Sequence, residues 1–172
     1  KEAMIQHAHD FAAESIPFMF DPGQNLPLFS KDELMTFLDQ ATWCVMNDYE
    51  SQLMMNTTGE SINTLAQQVD ALIVTRGGEG SVVYTDGDEI EIPTVNVDQA
   101  IDPTGCGDAY RAGLLLGLEK GWDWQTSGRE GSMTAASTDE QQGPHHHTIS
   151  IHEHANQYAT PLDKGRSLNS DL

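Results

Sequence analysis

Three short apolar runs, each separated from the next by enough chain for a helix, constrain the fold more than any other feature. They are Ile16-Pro17-Phe18-Met19-Phe20, Trp43-Cys44-Val45-Met46 and Ala71-Leu72-Ile73-Val74-Thr75. A strand apolar on both sides of its pleat must be covered on both faces, the condition of a parallel sheet held between helices. The intervening stretches supply those helices. Residues 1–15 carry Ala3, Met4, Ala8, Phe11 and Ala12 at close to helical spacing. Ser30 with Glu33 forms a capping box that opens a helix through Leu34, Phe37 and Leu38. A short helix is predicted from Asn47 to Met55, and another, capped at Thr58 or a neighbour, runs to about Val69. This alternation predicts an α/β fold of three layers, α/β/α, with a mainly parallel sheet.

Beyond Thr75 the pattern changes. Arg76-Gly77-Gly78-Glu79-Gly80 reads as a turn, and Ser81–Thr85 and Glu89–Thr94 flank Asp86-Gly87-Asp88 as a hairpin. A glycine-rich loop, 102–107, leads into an apolar helix from Ala109 to Lys120 that Gly121 terminates. A further helix is predicted from Thr126 to Ser137, and a weaker one near Ile151 to Tyr158. Gly113 and Gly117 on the apolar helix imply close packing against another helix. Trp43, Trp122 and Trp124 read as packing residues. The residues from Pro161 onward read as a disordered tail, 161–172. The chain opens at Lys1 inside a helical pattern, which reads as a fragment of a longer protein.

Charge excludes some functions. Eight Lys and Arg stand against 27 Asp and Glu, a formal charge of -19. Nucleic acid as a partner needs clustered cations, and an anionic membrane surface needs them too. Neither partner is expected. A site that handles phosphate must then use backbone amides, a metal ion or a few placed cations. Cys44 and Cys106 form no CxxC pair, so neither a thiolate zinc site nor a disulfide framework is expected, and a reducing, cytoplasmic compartment fits.

The strongest chemical constellation is Asp102-Pro103-Thr104-Gly105-Cys106-Gly107-Asp108 at the start of a helix. Gly105 and Gly107 remove side chains where backbone can approach a ligand closely. Free amides at a helix start point outward with partial positive charge, an arrangement suited to a phosphoryl group. Asp108, in the first turn, can face that ligand and take a proton from an attacking hydroxyl. The plainer reading, that Asp108 caps the helix and the glycines only make a turn, is about equally supported by composition. Three predicted strand or loop ends carry candidate residues: Asn47 to Glu50, Thr75 to Gly80, and the loop before Asp108. In an α/β sheet, ligands bind beyond the carboxyl ends of the strands.

The run from Asp102 to Gly113, D-P-T-G-C-G-D-A-Y-R-A-G, closely resembles the C-terminal signature of the ribokinase (PfkB) family, D-T-x-G-A-G-D-x-F-x-x-G. Cys106 stands where that family usually has Ala, and a thiol at a helix start can have a lowered pKa. Asn47-Asp48-Tyr49-Glu50 resembles the family's N-x-x-E, and Thr75 to Gly80 its T-x-G-x-x-G turn. Gly131 to Ala136 loosely resembles the small-residue helix near the adenine. The resemblance covers about residues 1–160, corresponding to the C-terminal portion of a ribokinase-like kinase domain. It implies transfer of the γ-phosphoryl of ATP to a hydroxyl of a sugar or nucleoside, with Mg2+. Asp108 would be the base, and the amides of Gly105, Cys106 and Gly107 the anion hole. Asn47, Glu50, Thr75, Gly77 and Gly80 would lie at the nucleotide, and Glu50 at the metal. An inactive fragment that keeps only nucleotide binding or a structural role is the alternative.

Three features stay open. His145, His146 and His147, with His152 and His154, read as a polar loop rather than a metal site, and lie where the family has a glycine-rich loop near the base. Asp21-Pro22-Gly23 reads as a turn at a strand end, close to where the family's active site lies. Arg111 is near Asp108 on the same helix but is not assigned to phosphate. An unfinished sheet edge leaves a homodimer open.

Overall fold

The structure is a computed structural model that describes residues 1–95 and 104–139. The loop residues Asp102 and Pro103, the histidine run, the helix expected near residue 151, the boundary at residue 160 and the expected tail all lie outside them.

Among the described residues, five strands form one sheet in the order β1-β2-β3-β4-β5. They are β1 (Met19–Phe20), β2 (Trp43–Asn47), β3 (Ala71–Thr75), β4 (Ser81–Thr85) and β5 (Asp88–Ile92). β1, β2 and β3 pair in parallel, with Trp43 opposite Met19 and Ala71 opposite Trp43. These are the three strands expected from the apolar runs. β4 and β5 join antiparallel, so the complete sheet is mixed. The β3–β4 connection is too short for a crossover helix, which forces the antiparallel pairing. Asp86 and Gly87 both take positive φ, 51° and 86°, the geometry of a two-residue hairpin turn between β4 and β5.

The pleat distributes each strand between two cores. Cys44, Met46, Leu72 and Val74 face a cluster with Leu34, Phe37, Leu38, Met54 and Leu65. The alternate residues Val45, Ala71 and Ile73 face Val83, Ile92, Tyr110 and Leu114. The first core is covered by α1 (Glu2–Ala13), α2 (Lys31–Gln40), α3 (Asp48–Thr58) and α4 (Ile62–Ala66). The second is covered by α5 (Cys106–Glu119) and α6 (Trp124–Asp139). Helices thus lie on both faces, and the three-layer α/β/α arrangement holds.

Local signals explain most element ends. Ser30 and Glu33 make the expected reciprocal capping box on α2. Asp123 accepts from the Thr126 amide at 2.7 Å and opens α6. Gly121 takes φ 70° just past α5. Several boundaries differ from expectation: β5 is Asp88–Ile92 rather than Glu89–Thr94, and α5 starts at Cys106 rather than Ala109. The first run pairs only at Met19–Phe20, because Ile16 and Pro17 are exposed and Pro17 has no amide to donate. The helix over residues 62–66 is capped by Ser61, whereas Thr58 bonds back to Met54 O and Gly59, φ 73°, ends α3.

α5 and α6 pack at close range. A Cβ on Gly113 would lie 2.8 Å from Glu130 O, and one on Gly117 2.7 Å from Ser127 Cα. The close packing expected from these two glycines is therefore present. Trp43 and Trp124 pack on the second core, while Trp122 is exposed at the α5–α6 turn. No helix among the described residues is long and apolar enough to cross a membrane.

Candidate functional site

The register of the sheet brings two of the three expected segments to one edge. Asn47, the last residue of β2, stands opposite Thr75, the last of β3. Thr75 stands opposite Ser81, the first of β4. Ser81 Oγ lies 2.7 Å from the Tyr110 hydroxyl, a buried bond that anchors the start of α5 at this same edge. Burial pushes the Tyr110 pKa up, with the Ser81 bond opposing, so the hydroxyl keeps its proton. The Ser81–Tyr110 pair was not singled out in the sequence, because nothing local links residues so far apart. Tyr110→Phe leaves the buried Ser81 hydroxyl without this partner. A loss of about 1–3 kcal/mol in unfolding free energy is expected by denaturant titration; an unchanged midpoint would show the bond to be idle.

α5 begins at Cys106, with Gly105 at φ 87° as its N-cap and no side-chain cap. Asp108 is therefore not the cap. Its side chain is 92% exposed, and its one described ionic neighbour is Arg111 Nη1 at 3.8 Å. Gly105 has no side chain with which to cap the amides of that first turn. Cys106 is half-buried.

Asn47 and Glu50 do meet, but they meet each other. Asn47 Oδ1 accepts from the Glu50 amide at 2.7 Å, and Glu50 Oε2 accepts from the Asn47 amide at 2.9 Å. The N-x-x-E spacing is a capping box on α3, and Glu50 is buried in it. The turn after β3 is also self-satisfied: the Arg76 amide donates to Gly80 O at 2.7 Å, and the Gly80 amide to Gly77 O. Gly77 sits at φ 54° with open space beside it. Gly80 is dictated by packing, since a Cβ there would collide with Ile92 O and lie 2.8 Å from the Thr94 amide nitrogen.

Two charged residues left aside in the sequence join the site. Asp21 follows β1 at the same sheet edge, and Arg111 reaches it from α5, Nε to Oδ2 at 2.5 Å. The contact is an ion pair rather than an aligned hydrogen bond, since Arg111 Nε and Asp21 Oδ1 are both buried without a hydrogen-bond partner. Burial first, then the Asp21 and Glu50 carboxylates, push the Cys44 thiol pKa far up, so Cys44 is an inert core residue.

A glycine-rich helix start is suited to a phosphate through its backbone amides. Among the described residues, no group of three or more His, Cys, Asp or Glu converges as ligands. A magnesium ion carried by nucleotide phosphates needs only one or two carboxylates.

Residues 1–149 match the pfkB family carbohydrate kinase. A nucleoside kinase of Methanocaldococcus jannaschii is 43% identical over 124 residues, which are 72% of this chain and 41% of that protein. The structure of Burkholderia thailandensis nucleoside kinase in complex with inosine is 41% identical with a TM-score of 0.91, covering 94% of this chain and 54% of that one. Its complex with ADP-inosine is 40% identical, TM-score 0.91, covering 99% and 55%. The chain thus spans about half, or less, of the length of the relatives it matches.

Proposed function

The chain belongs to the pfkB family of carbohydrate kinases, and on that premise we propose that the intact protein transfers the γ-phosphoryl of ATP to a hydroxyl of a nucleoside. The observation that supports the site is the bond from Tyr110, in the first turns of α5, to Ser81, which stands opposite Thr75 at the sheet edge where β2 and β3 end. A nucleoside rather than a plain sugar is favoured because relatives at 43% and 41% identity are nucleoside kinases, one of them bound to inosine. The same protein bound to ADP-inosine supports an adenine nucleotide as the donor.

In this reading Asp108 accepts the proton of the attacking hydroxyl; its exposure leaves it free to reach a substrate. The amides of Gly105, Cys106 and Gly107 hold the transferring phosphoryl oxygens, and the α5 dipole adds positive potential. Thr75 and Gly77 line the nucleotide side, Gly77 through its open backbone. Asn47 and Gly80 shape that side by capping α3 and closing the β3–β4 turn. The nucleotide supplies the phosphoryl group, with Mg2+ neutralising its charge. The first test is phosphoryl transfer from ATP by the intact protein across a panel of nucleosides and sugars. Turnover of sugars alone would redirect the acceptor, and no turnover of either would defeat the reading.

Glu50 has two roles to separate, the cap it makes and a contact to magnesium. Glu50→Gln keeps an acceptor oxygen for the Asn47 amide, so a stability change below about 1 kcal/mol is expected. A raised magnesium requirement in turnover is expected with it. An unchanged magnesium titration would leave Glu50 as a capping residue only.

A further inference from the structure

We propose that Arg111 is a positioning residue, which ties the start of α5, and with it Asp108, to Asp21 at the end of β1. This rests on the kinase reading of Asp108 given above. Three observations carry it. Arg111 lies one turn beyond Asp108, with Nη1 3.8 Å from Asp108 Oδ1 while Nε meets Asp21 Oδ2. The guanidinium therefore contacts a carboxylate on each side, one on the helix and one on the sheet. Second, the guanidinium lies over the first turn of α5 beside Gly107, where a Cβ would lie 2.7 Å from Nη1 and push the side chain aside. Third, the Arg111–Asp21 pair is largely withdrawn from solvent, with side-chain exposures of 23% and 31%. Water and salt screen such a contact less than a surface pair.

The geometry also explains why arginine serves here. A planar guanidinium can face two carboxylates through different nitrogens, whereas an ammonium offers one compact charge. The Ser81–Tyr110 bond pins α5 to β4, and the Arg111–Asp21 pair pins it to the end of β1.

Arg111→Gln, Arg111→Lys, Asp21→Asn and the Asp21→Asn/Arg111→Gln double variant are compared in the intact protein. Misplacing a catalytic group by about 1 Å can cost up to about 100-fold in rate. A fall in kcat of about 10–100-fold is expected for Arg111→Gln and for Asp21→Asn, with KM for ATP changing far less. The double variant should be no slower than the slower single one, since both changes remove one contact. Arg111→Lys should recover part of the loss. Hydrogen exchange gives a readout independent of turnover: the amides that bond back into the first turn of α5, 109–112, beginning with Ala109 to Gly105 O, should exchange faster in Arg111→Gln while those of 114–119 do not. Unaltered exchange in that first turn overturns the proposal, as does a kcat equal to that of the wild type. Absence of turnover in the wild type sinks the kinase reading instead, and exchange then decides the positioning role alone.

Discussion

Asp108→Asn is expected to lower turnover of the intact protein by about 10²–10⁴-fold while leaving ATP affinity and thermal stability nearly unchanged. The size follows from losing a general base. The selectivity follows from the local structure. Asp108 caps nothing, its side chain is 92% exposed, and its one described ionic contact, to Arg111, is a loose 3.8 Å. An isosteric amide at such a place disturbs no core and leaves no buried group unpaired. The Arg111–Asp21 pair is untouched, so the helix start keeps its place. Steady-state kinetics, nucleotide titration and a melting curve on the same preparation check all three parts. A variant with near wild-type kcat would remove Asp108 from the mechanism. A variant that also melts early would give Asp108 a structural duty that its exposure does not suggest.

Gly80→Ala is expected to act in the opposite sense, through stability first. Gly80 sits at φ 89°, ψ -140°, a region that is costly for any residue with a Cβ. Its Cβ would also run into Ile92 O and approach the Thr94 amide nitrogen to 2.8 Å, and both are backbone atoms that cannot swing aside. Backbone strain of about 1–3 kcal/mol and overpacking of about 1–3 kcal/mol act together. A loss of several kcal/mol, near the whole stability of a marginal domain, is expected on denaturant titration. A folded Gly80→Ala protein of normal stability, impaired only in its KM for ATP, would make Gly80 a nucleotide contact first and a packing residue second. Gly77, at φ 54° with open space around it, offers the contrast. Alanine there meets strain but no collision, and should be the milder of the two.

Much of this was legible in the chain itself. Ser30 with Glu33, Asp86-Gly87, and Gly121 set element ends through contacts within a few residues, which is why a local reading finds them. The apolar runs foretold β2 and β3 fully because every side chain in them needs cover on one face or the other. β1 was overestimated for the same reason inverted: Ile16 looks like a strand residue, yet it is exposed, and the chain pairs only after Pro17. That Asn47 and Thr75 end neighbouring parallel strands was readable too, since a parallel sheet gathers its loops at one edge.

By itself the sequence determined the periodicities, the caps and the glycine-rich helix start, all of them consequences of what neighbouring residues can do to one another. Only the tertiary structure decided what those residues meet. Asn47 and Glu50 have the spacing of a ligand pair and of a capping box alike, and packing at the end of β2 showed the box. Gly80 also has a packing reason that appears only when the end of β5 comes alongside it. Ser81 meets Tyr110, and Asp21 meets Arg111, across 29 and 90 residues of chain respectively. Such meetings depend on strand order and helix docking, which arise from the burial of the whole core. No pattern within a short window encodes them.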